Sequence, residues 1–281
     1  MSHGCETPAR ASASLLSATT EPGVYVRSER FQIAVDALQR GFFTLRGLDA
    51  ALSFRSPGVA PRAVLERSSY IERFPQLVSR VAPELSREDP AAGEGLVTLP
   101  SACLSLYPLI AGYGPIPAGG LTATIAAPCF RNEAHYGPER MRAFHMAEYV
   151  FFGDPRQAEC FRVEMMAEVE DWLLDLQLTG RFAGANDPFF GRLGEILAER
   201  QRTAGLKTEL LIPYDPPGEI AGFSFNDHRD FFCQRWDIHR ADGGPCVSSC
   251  VGVGLERLAL ALFQRHGESL TAWPRAFKVL L

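Results

Sequence analysis

The stretch from Ala127 to Glu148, APCFRNEAHYGPERMRAFHMAE, constrains this chain more than any other. The apolar run Leu121–Ala127 leads into it and reads as a short buried strand. Charge and aromatic character then alternate through Phe130, Arg131, Glu133, Arg140, Arg142, Phe144 and Glu148. Gly137 and Pro138 break the pattern within Glu133–Glu139, so the spacing predicts two antiparallel strands joined by a loop. Residues two apart on a strand share a face. That parity puts Arg131 with Glu133, and groups Arg140, Arg142, Phe144 and Glu148 on the returning strand. Such a face is a poor hydrophobic core and a good polyanion site, because guanidinium forks hold phosphate oxygens in pairs. A solvated hairpin face with surface ion pairs is the other reading of the same residues.

The chain has 281 residues, enough for one large domain or two modest ones, and 46% of them are hydrophobic. Its net charge of −5 comes without a basic tail or Lys/Arg stripe, which disfavours nonspecific binding to nucleic acid. No apolar run reaches membrane-spanning length, and Leu15–Leu16 is too short for a signal-peptide core. Seven cysteines without framework spacing fit a reducing, cytoplasmic setting.

Residues 1–22 are small and polar and are expected to be disordered, leaving 23–281 as a single domain. Phe31, Val35, Leu38, Phe42 and Leu45 recur at helical spacing, and Ala50–Arg55 reads as a strand stopped by Pro57. A helix and strand of this kind suit either a dimer interface or an ordinary core. Arg62–Val81 looks helical with a break at Pro75, and 83–95 is a Pro/Gly/acid loop. Gly95–Pro100 is a short strand followed by Cys103, and a cysteine so placed is most often inert packing. Residues 156–178 form a strong helix, and Asn186-Asp187-Pro188 is expected to cap another over 188–203. Arg192, Arg200, Arg202 and Lys207 make a local basic excess there, a solvated face or a seat for an acidic partner. Glu209–Pro213 and Glu219–Asn226 read as strands, the second ending in the cluster Asp227, His228, Arg229, Asp230. Cys246–Gly254 reads as a strand running into a helix at Leu255–Phe263, with Arg257 aimed at the strand's end.

Taken together, F-R-N-E at 130–133, R-x-x-x-F-x-x-x-E at 140–148 and G-x-G-L-E-R at 252–257 resemble motifs 2 and 3 of the class II aminoacyl-tRNA synthetases. The helix and strand over 27–57 are similar, more distantly, to motif 1 of that class. L-P-S-A-C at 99–103 resembles the Thr-x-Glu loop of seryl-tRNA synthetases, with Cys103 where the glutamate is expected. The likeness covers roughly residues 25–281. It implies an α+β fold, a class II aminoacyl-tRNA synthetase-like catalytic domain with a mixed, mostly antiparallel sheet flanked by helices. Atypical seryl-tRNA synthetases hold zinc with Cys, Glu and Cys, and Cys103, Glu148 and Cys250 fall at the matching places; Cys129 is the rival ligand. Two thiolates and a carboxylate with an open fourth position suit a working Zn²⁺.

The loop at 133–139 is short, and no heptad hairpin or anticodon-binding domain is expected at either end. That combination looks like the amino acid:[carrier protein] ligases, truncated homologues of the atypical seryl enzymes. The resemblance implies ATP-dependent activation of a small amino acid, glycine or alanine foremost, and its transfer to the phosphopantetheine thiol of a carrier protein. It further implies a homodimer, no tRNA and no membrane. Arg131 would bridge the carboxylate and the α-phosphate. Glu133 would accept from the adenine amine, and Phe144 and Arg257 would cover its two faces. Arg140 and Arg257 would reach the γ-phosphate, and Glu219, or else Glu209, would hold Mg²⁺. A tRNA-charging enzyme helped by a second chain, and a non-catalytic synthetase-like subunit, are the competing readings. Retention of both Arg131 and Arg257 argues against the latter.

Overall fold

The structure, a computed structural model, describes residues 14–46, 52–82, 95–216 and 218–281. In chain order its elements are β1 (Leu16–Ala18), β2 (Tyr25–Arg27), α1 (Glu29–Phe42), β3 (Leu52–Arg55), β4 (Val59–Pro61), α2 (Arg62–Arg67), α3 (Tyr70–Arg73), β5 (Arg80–Val81), β6 (Leu96–Thr98), α4 (Leu106–Tyr113), β7 (Leu121–Phe130), β8 (Ala143–Gly153), α5 (Pro155–Asp175), β9 (Arg181–Gly184), α6 (Gly191–Thr203), β10 (Lys207–Tyr214), β11 (Gly218–Arg229), α7 (Phe231–Arg235), β12 (Val247–Gly254), α8 (Leu255–His266) and α9 (Arg275–Lys278). Seven strands form one sheet in the order β3-β7-β8-β12-β11-β10-β9. The β3–β7 pair is parallel and the other pairs are antiparallel.

Strand alternation sorts the sheet's residues into two layers. Tyr149, Phe151, Phe223, Phe225, Val251 and Val253 pack with α1, α5 and α8 in one core. Ile125, Ala127, Val150 and Phe152 pack with α4 in a second core on the opposite face. Helix α1 starts where Ser28 Oγ accepts from the Phe31 amide, a cap that satisfies one orphan N–H. Its Phe31, Val35, Leu38 and Phe42 are almost fully buried, each stabilising the fold by about 1.5–3 kcal/mol. Helix α5 begins with a reciprocal capping box between Asp154 and Gln157. No helix among the described residues is long and apolar enough to cross a membrane.

Several expectations are corrected. Residues 14–22 are ordered: β1 pairs with β2, and Leu15 and Leu16 are buried in the first core, so two leucines outweigh their polar surroundings. Residues 1–13 of the expected disordered segment lie outside the described residues, as do 47–51 and most of the 83–95 loop. Arg80–Val81, expected as the end of a helical stretch, is a strand paired with β6. Cys103 sits in a 3-10 turn, Ala102–Ser105, rather than at a strand end. Helix α6 begins at Gly191 with no side-chain cap. Asp187 instead accepts from Gln201 Nε2 at 2.8 Å and Lys207 Nζ at 2.5 Å, because two side-chain donors, one of them charged, hold a half-buried carboxylate better than one cap amide.

Candidate active site

Strand register assembles the site. Across the sheet, Glu148 is paired with Gly252, Gly252 with Ser224, and Ser224 with Glu209. The adjacent row pairs Val150 with Cys250, Cys250 with Asn226, and Asn226 with Lys207. Paired residues share a face, so four strands present Glu148, Cys250, Asn226, Ser224 and Glu209 to one side. Between Asp227 and Arg229 the β11–β12 ladder shifts register, leaving His228 as the extra residue of a bulge beside that row. These side chains line a cavity of about 440 Å³, within the range of small-molecule sites.

At the inner end, ligand atoms of Cys103, Glu148 and Cys250 lie within 4.8 Å of one another, and all three residues are buried. Glu148 Oε1 accepts from the Cys103 amide at 3.0 Å and Ser101 Oγ at 3.1 Å. Cys250 Sγ receives Asn226 Nδ2 at 3.3 Å and faces His228 Nε2 at 3.5 Å. Tyr107 Oη lies 2.9 Å from His228 Nδ1, which settles the ring's orientation. Burial and the neighbouring Cys250 push the Glu148 carboxyl up to about 7. Contact with Cys250, then burial, drives Cys103 up, whereas Cys103, His228 and Asn226 all donate toward Cys250 and hold it low. Three potential anions are thus confined with the His228 imidazole as the facing base, whose own pKa, against burial, their charge raises, and a divalent cation would relieve their mutual repulsion. The residues fit zinc, since two thiolates and one carboxylate leave the fourth tetrahedral position open.

The outer end carries arginine. Arg131 lies just beyond β7, where Nε donates to Pro100 O at 2.7 Å and the guanidinium covers the Phe144 ring at 5.3 Å. Arg140 pairs with Glu133 at 3.2 Å. Arg257 Nε donates to Glu139 O at 2.8 Å and Nη1 to Ala221 O at 3.1 Å. Burial, then Arg140 and Arg131, lowers the Arg257 pKa, the signature of a cationic cluster short of anions. Arg131, Glu133, Arg140, Phe144, Glu148, Cys103, Cys250 and Arg257 all line this one cavity.

Other expected residues fall elsewhere. Glu219 is exposed, does not line the cavity, and is forked to Arg181 at 2.6 and 2.9 Å. Glu209 does line it, with Lys207 at 3.5 Å. The parity argument fails for Arg131, Glu133, Arg140 and Arg142, because β7 ends at Phe130 and β8 begins at Ala143. Arg142 turns away to stack on Tyr136 at 4.7 Å and to approach Glu21 at 3.7 Å. Cys129 is buried but outside the Cys103–Glu148–Cys250 group. Sequence reasoning gave Ser101 and His228 no role, though it named the L-P-S-A-C stretch and the polar cluster that hold them, and it gave none to Asn226 or Tyr107; the Ser224–Asn226–His228 alternation ahead of Asp230 was the available signal. It also missed Glu256, which accepts from the His145 amide at 2.8 Å and pairs with Arg27 at 2.7 Å, fixing the start of α8 and so Arg257 against β8.

No family model matches the chain. Amino acid--[acyl-carrier-protein] ligase 1 of Bradyrhizobium diazoefficiens is 38% identical over 278 residues, covering 92% of this chain and 85% of that protein. Ligase 2 of the same organism is 37% identical over 279 residues, covering 92% and 83%. Among solved structures, seryl-tRNA synthetase from Pyrococcus horikoshii complexed with ATP superposes with a TM-score of 0.69 at 18% identity, over 93% of this chain. The chain spans 57% of that synthetase's length, and the likeness establishes the fold, a class II synthetase catalytic domain. The identity and coverage of the two carrier-protein enzymes place this protein's activity among the ligases, and the chain belongs to the amino acid--[acyl-carrier-protein] ligase family.

Proposed function

We propose that this protein activates a small amino acid, glycine or alanine, with ATP and passes it to the phosphopantetheine thiol of a carrier protein. The observation that carries this reading is the meeting of the buried Cys103, Glu148 and Cys250 in the same cavity that Arg131, Arg140 and Arg257 line. An amino acid gripped at its amine by the first group points its carboxylate toward the second.

Cys103, Glu148 and Cys250 would hold Zn²⁺, which when bound offers a Lewis-acidic position for the substrate's neutral amine. Arg131 orients the carboxylate against the α-phosphorus of ATP. The new bond is carboxylate oxygen to phosphorus, the bond broken is that to the pyrophosphate oxygen, and the arginines neutralise the charge brought together. Phe144 and Arg257 flank the adenine, and Glu133 accepts from its amine. Glu209 suits Mg²⁺ better than Glu219, which is exposed and already forked to Arg181. In the second step the carrier's thiolate attacks the adenylate carbonyl, a carbon–sulfur bond replaces the carbon–oxygen bond, AMP leaves with the electron pair, and the thiol proton passes to solvent.

Helix α6 is the proposed seat for the carrier. Leu193 and Ile196 are 74% and 52% exposed on it, and Arg200 and Arg202 lie in its last turn, which suits an acidic partner with an apolar centre. A homodimer built through the α1–β3 region is part of the proposal.

The test is ATP–pyrophosphate exchange across the twenty amino acids, followed by incubation of labelled amino acid with holo carrier protein or tRNA. Exchange dependent on glycine or alanine, with label on the carrier, is expected. Labelled tRNA beside an unlabelled carrier contradicts the reading.

A further inference from the structure

A second group of cations lies away from the nucleotide arginines. The ring of Phe231, the first residue of α7, carries two guanidinium groups, Arg73 at 4.1 Å and Arg235 at 3.7 Å. Arg73 and Phe231 line the cavity, as does the exposed Arg229. Arg235 Nε donates to Ser69 Oγ at 3.2 Å and Nη1 to Phe231 O at 3.2 Å. The Arg73 side chain has no hydrogen-bonded or ion-paired acceptor among the described residues. The acids nearby do not supply one: Glu72 is exposed, acts on Arg73 only through its charge and makes no ion pair among the described residues, and Asp230 accepts from Gln234 at 2.6 Å. Burial and the facing Arg235 lower the Arg73 pKa, as expected where like charges gather without an anion.

Position says which anion. The Arg73 carbonyl accepts from the Phe190 amide at 2.9 Å, and Phe74 stacks on Phe189 at 4.9 Å, so Arg73 lies directly beside the entry to α6. Inward from Phe231 the contacts run to Phe232 at 5.0 Å, then to His228 at 5.0 Å, then to Cys250 at 3.5 Å. A ligand lying along this path has one end at the carrier's seat and the other at the amino acid. The carrier's prosthetic arm has that form: one phosphodiester at its root, an uncharged chain, and a thiol at its tip.

We propose that Arg73, stacked on Phe231 beside Arg235, binds the phosphate at the root of the phosphopantetheine arm, while Arg235, outside the cavity lining, holds the Phe231 ring in place. This rests on the carrier-transfer reading above. Guanidinium is suited to the task, since its planar fork engages two phosphate oxygens while its face stays on the ring.

The experiment uses free thiols as acceptors, with ATP and glycine: phosphopantetheine, and pantetheine, which lacks the phosphate. The wild-type KM is expected to be at least tenfold lower for phosphopantetheine. Arg73→Gln should remove most of that ratio by raising the KM for phosphopantetheine, and the ratio within the variant cancels any general loss of active protein. A ratio unchanged in Arg73→Gln overturns the site and leaves the carrier reading intact. A rise in the KM for ATP with an unchanged thiol ratio assigns Arg73 to the nucleotide and also overturns it. Adenylate formation with transfer to neither thiol overturns the carrier reading and this site together.

Discussion

Gly252 stands directly across the β8–β12 ladder from Glu148, and a methyl group at Gly252 would meet Glu148 Cγ at 3.4 Å. The missing side chain leaves the carboxylate free to lean toward Cys103 and Cys250. A single methyl can be tolerated at that distance, but a branched chain cannot. Gly252→Val should therefore cut metal affinity at least tenfold, measured by competition with a chromophoric chelator, with circular dichroism checking that the sheet persists.

The groups that aim the sulfur of Cys250 should matter nearly as much as the ligands. Asn226→Ala removes the 3.3 Å donor to Cys250 Sγ, and changes of this kind cost about 10–100-fold in metal affinity. Loss of metal and of glycine-dependent exchange should move together in this variant. Exchange that falls while metal content holds would detach Asn226 from the metal site.

Metal uptake should be coupled to protons. The metal-free Glu148 carboxyl is held up to about 7, chiefly by burial, and Cys103 keeps its proton through contact with Cys250 and burial. Ligands bind deprotonated. Zinc affinity should thus rise with pH through 6 to 8, and titration calorimetry in buffers of different ionisation heat should show protons released on binding.

How much of this was legible beforehand varies by residue. Leu121–Ala127 and Cys246–Gly254 were readable as strands because apolar runs bounded by breakers are local signals. Parity could not show that β7 stops at Phe130, so Arg131 and Glu133 were placed on a strand face when they lie in the loop beyond it. Cys103, Glu148 and Cys250 could be named together through a family resemblance, but their approach depends on the non-local β8–β12 register and on the turn that seats Cys103. Leu15 and Leu16 looked too sparse to order their segment, yet both are buried because β2 offers β1 a partner. His228 and Asn226 were named only as part of a strand and its polar end, without a role, because a bulge and a ladder, neither visible in sequence, aim them.

The two glutamates considered for Mg²⁺ should separate cleanly. Glu209 lines the cavity, and Glu209→Gln should lower exchange by about 10²–10³-fold, the loss typical of one electrostatic stabiliser, with a higher Mg²⁺ requirement. Glu219 is exposed and forked to Arg181, so Glu219→Gln should stay within about twofold in exchange and leave the melting temperature essentially unchanged, as exposed substitutions do.

Zinc-edge X-ray absorption on the purified protein, with and without glycine, tests the convergence of Cys103, Glu148 and Cys250 most directly. One zinc per chain is predicted, with two sulfur neighbours at about 2.3 Å, a protein oxygen at about 2.0–2.2 Å, and a light-atom shell that changes when glycine is added. A spectrum without a sulfur shell, or one identical in Cys250→Ala, would contradict it.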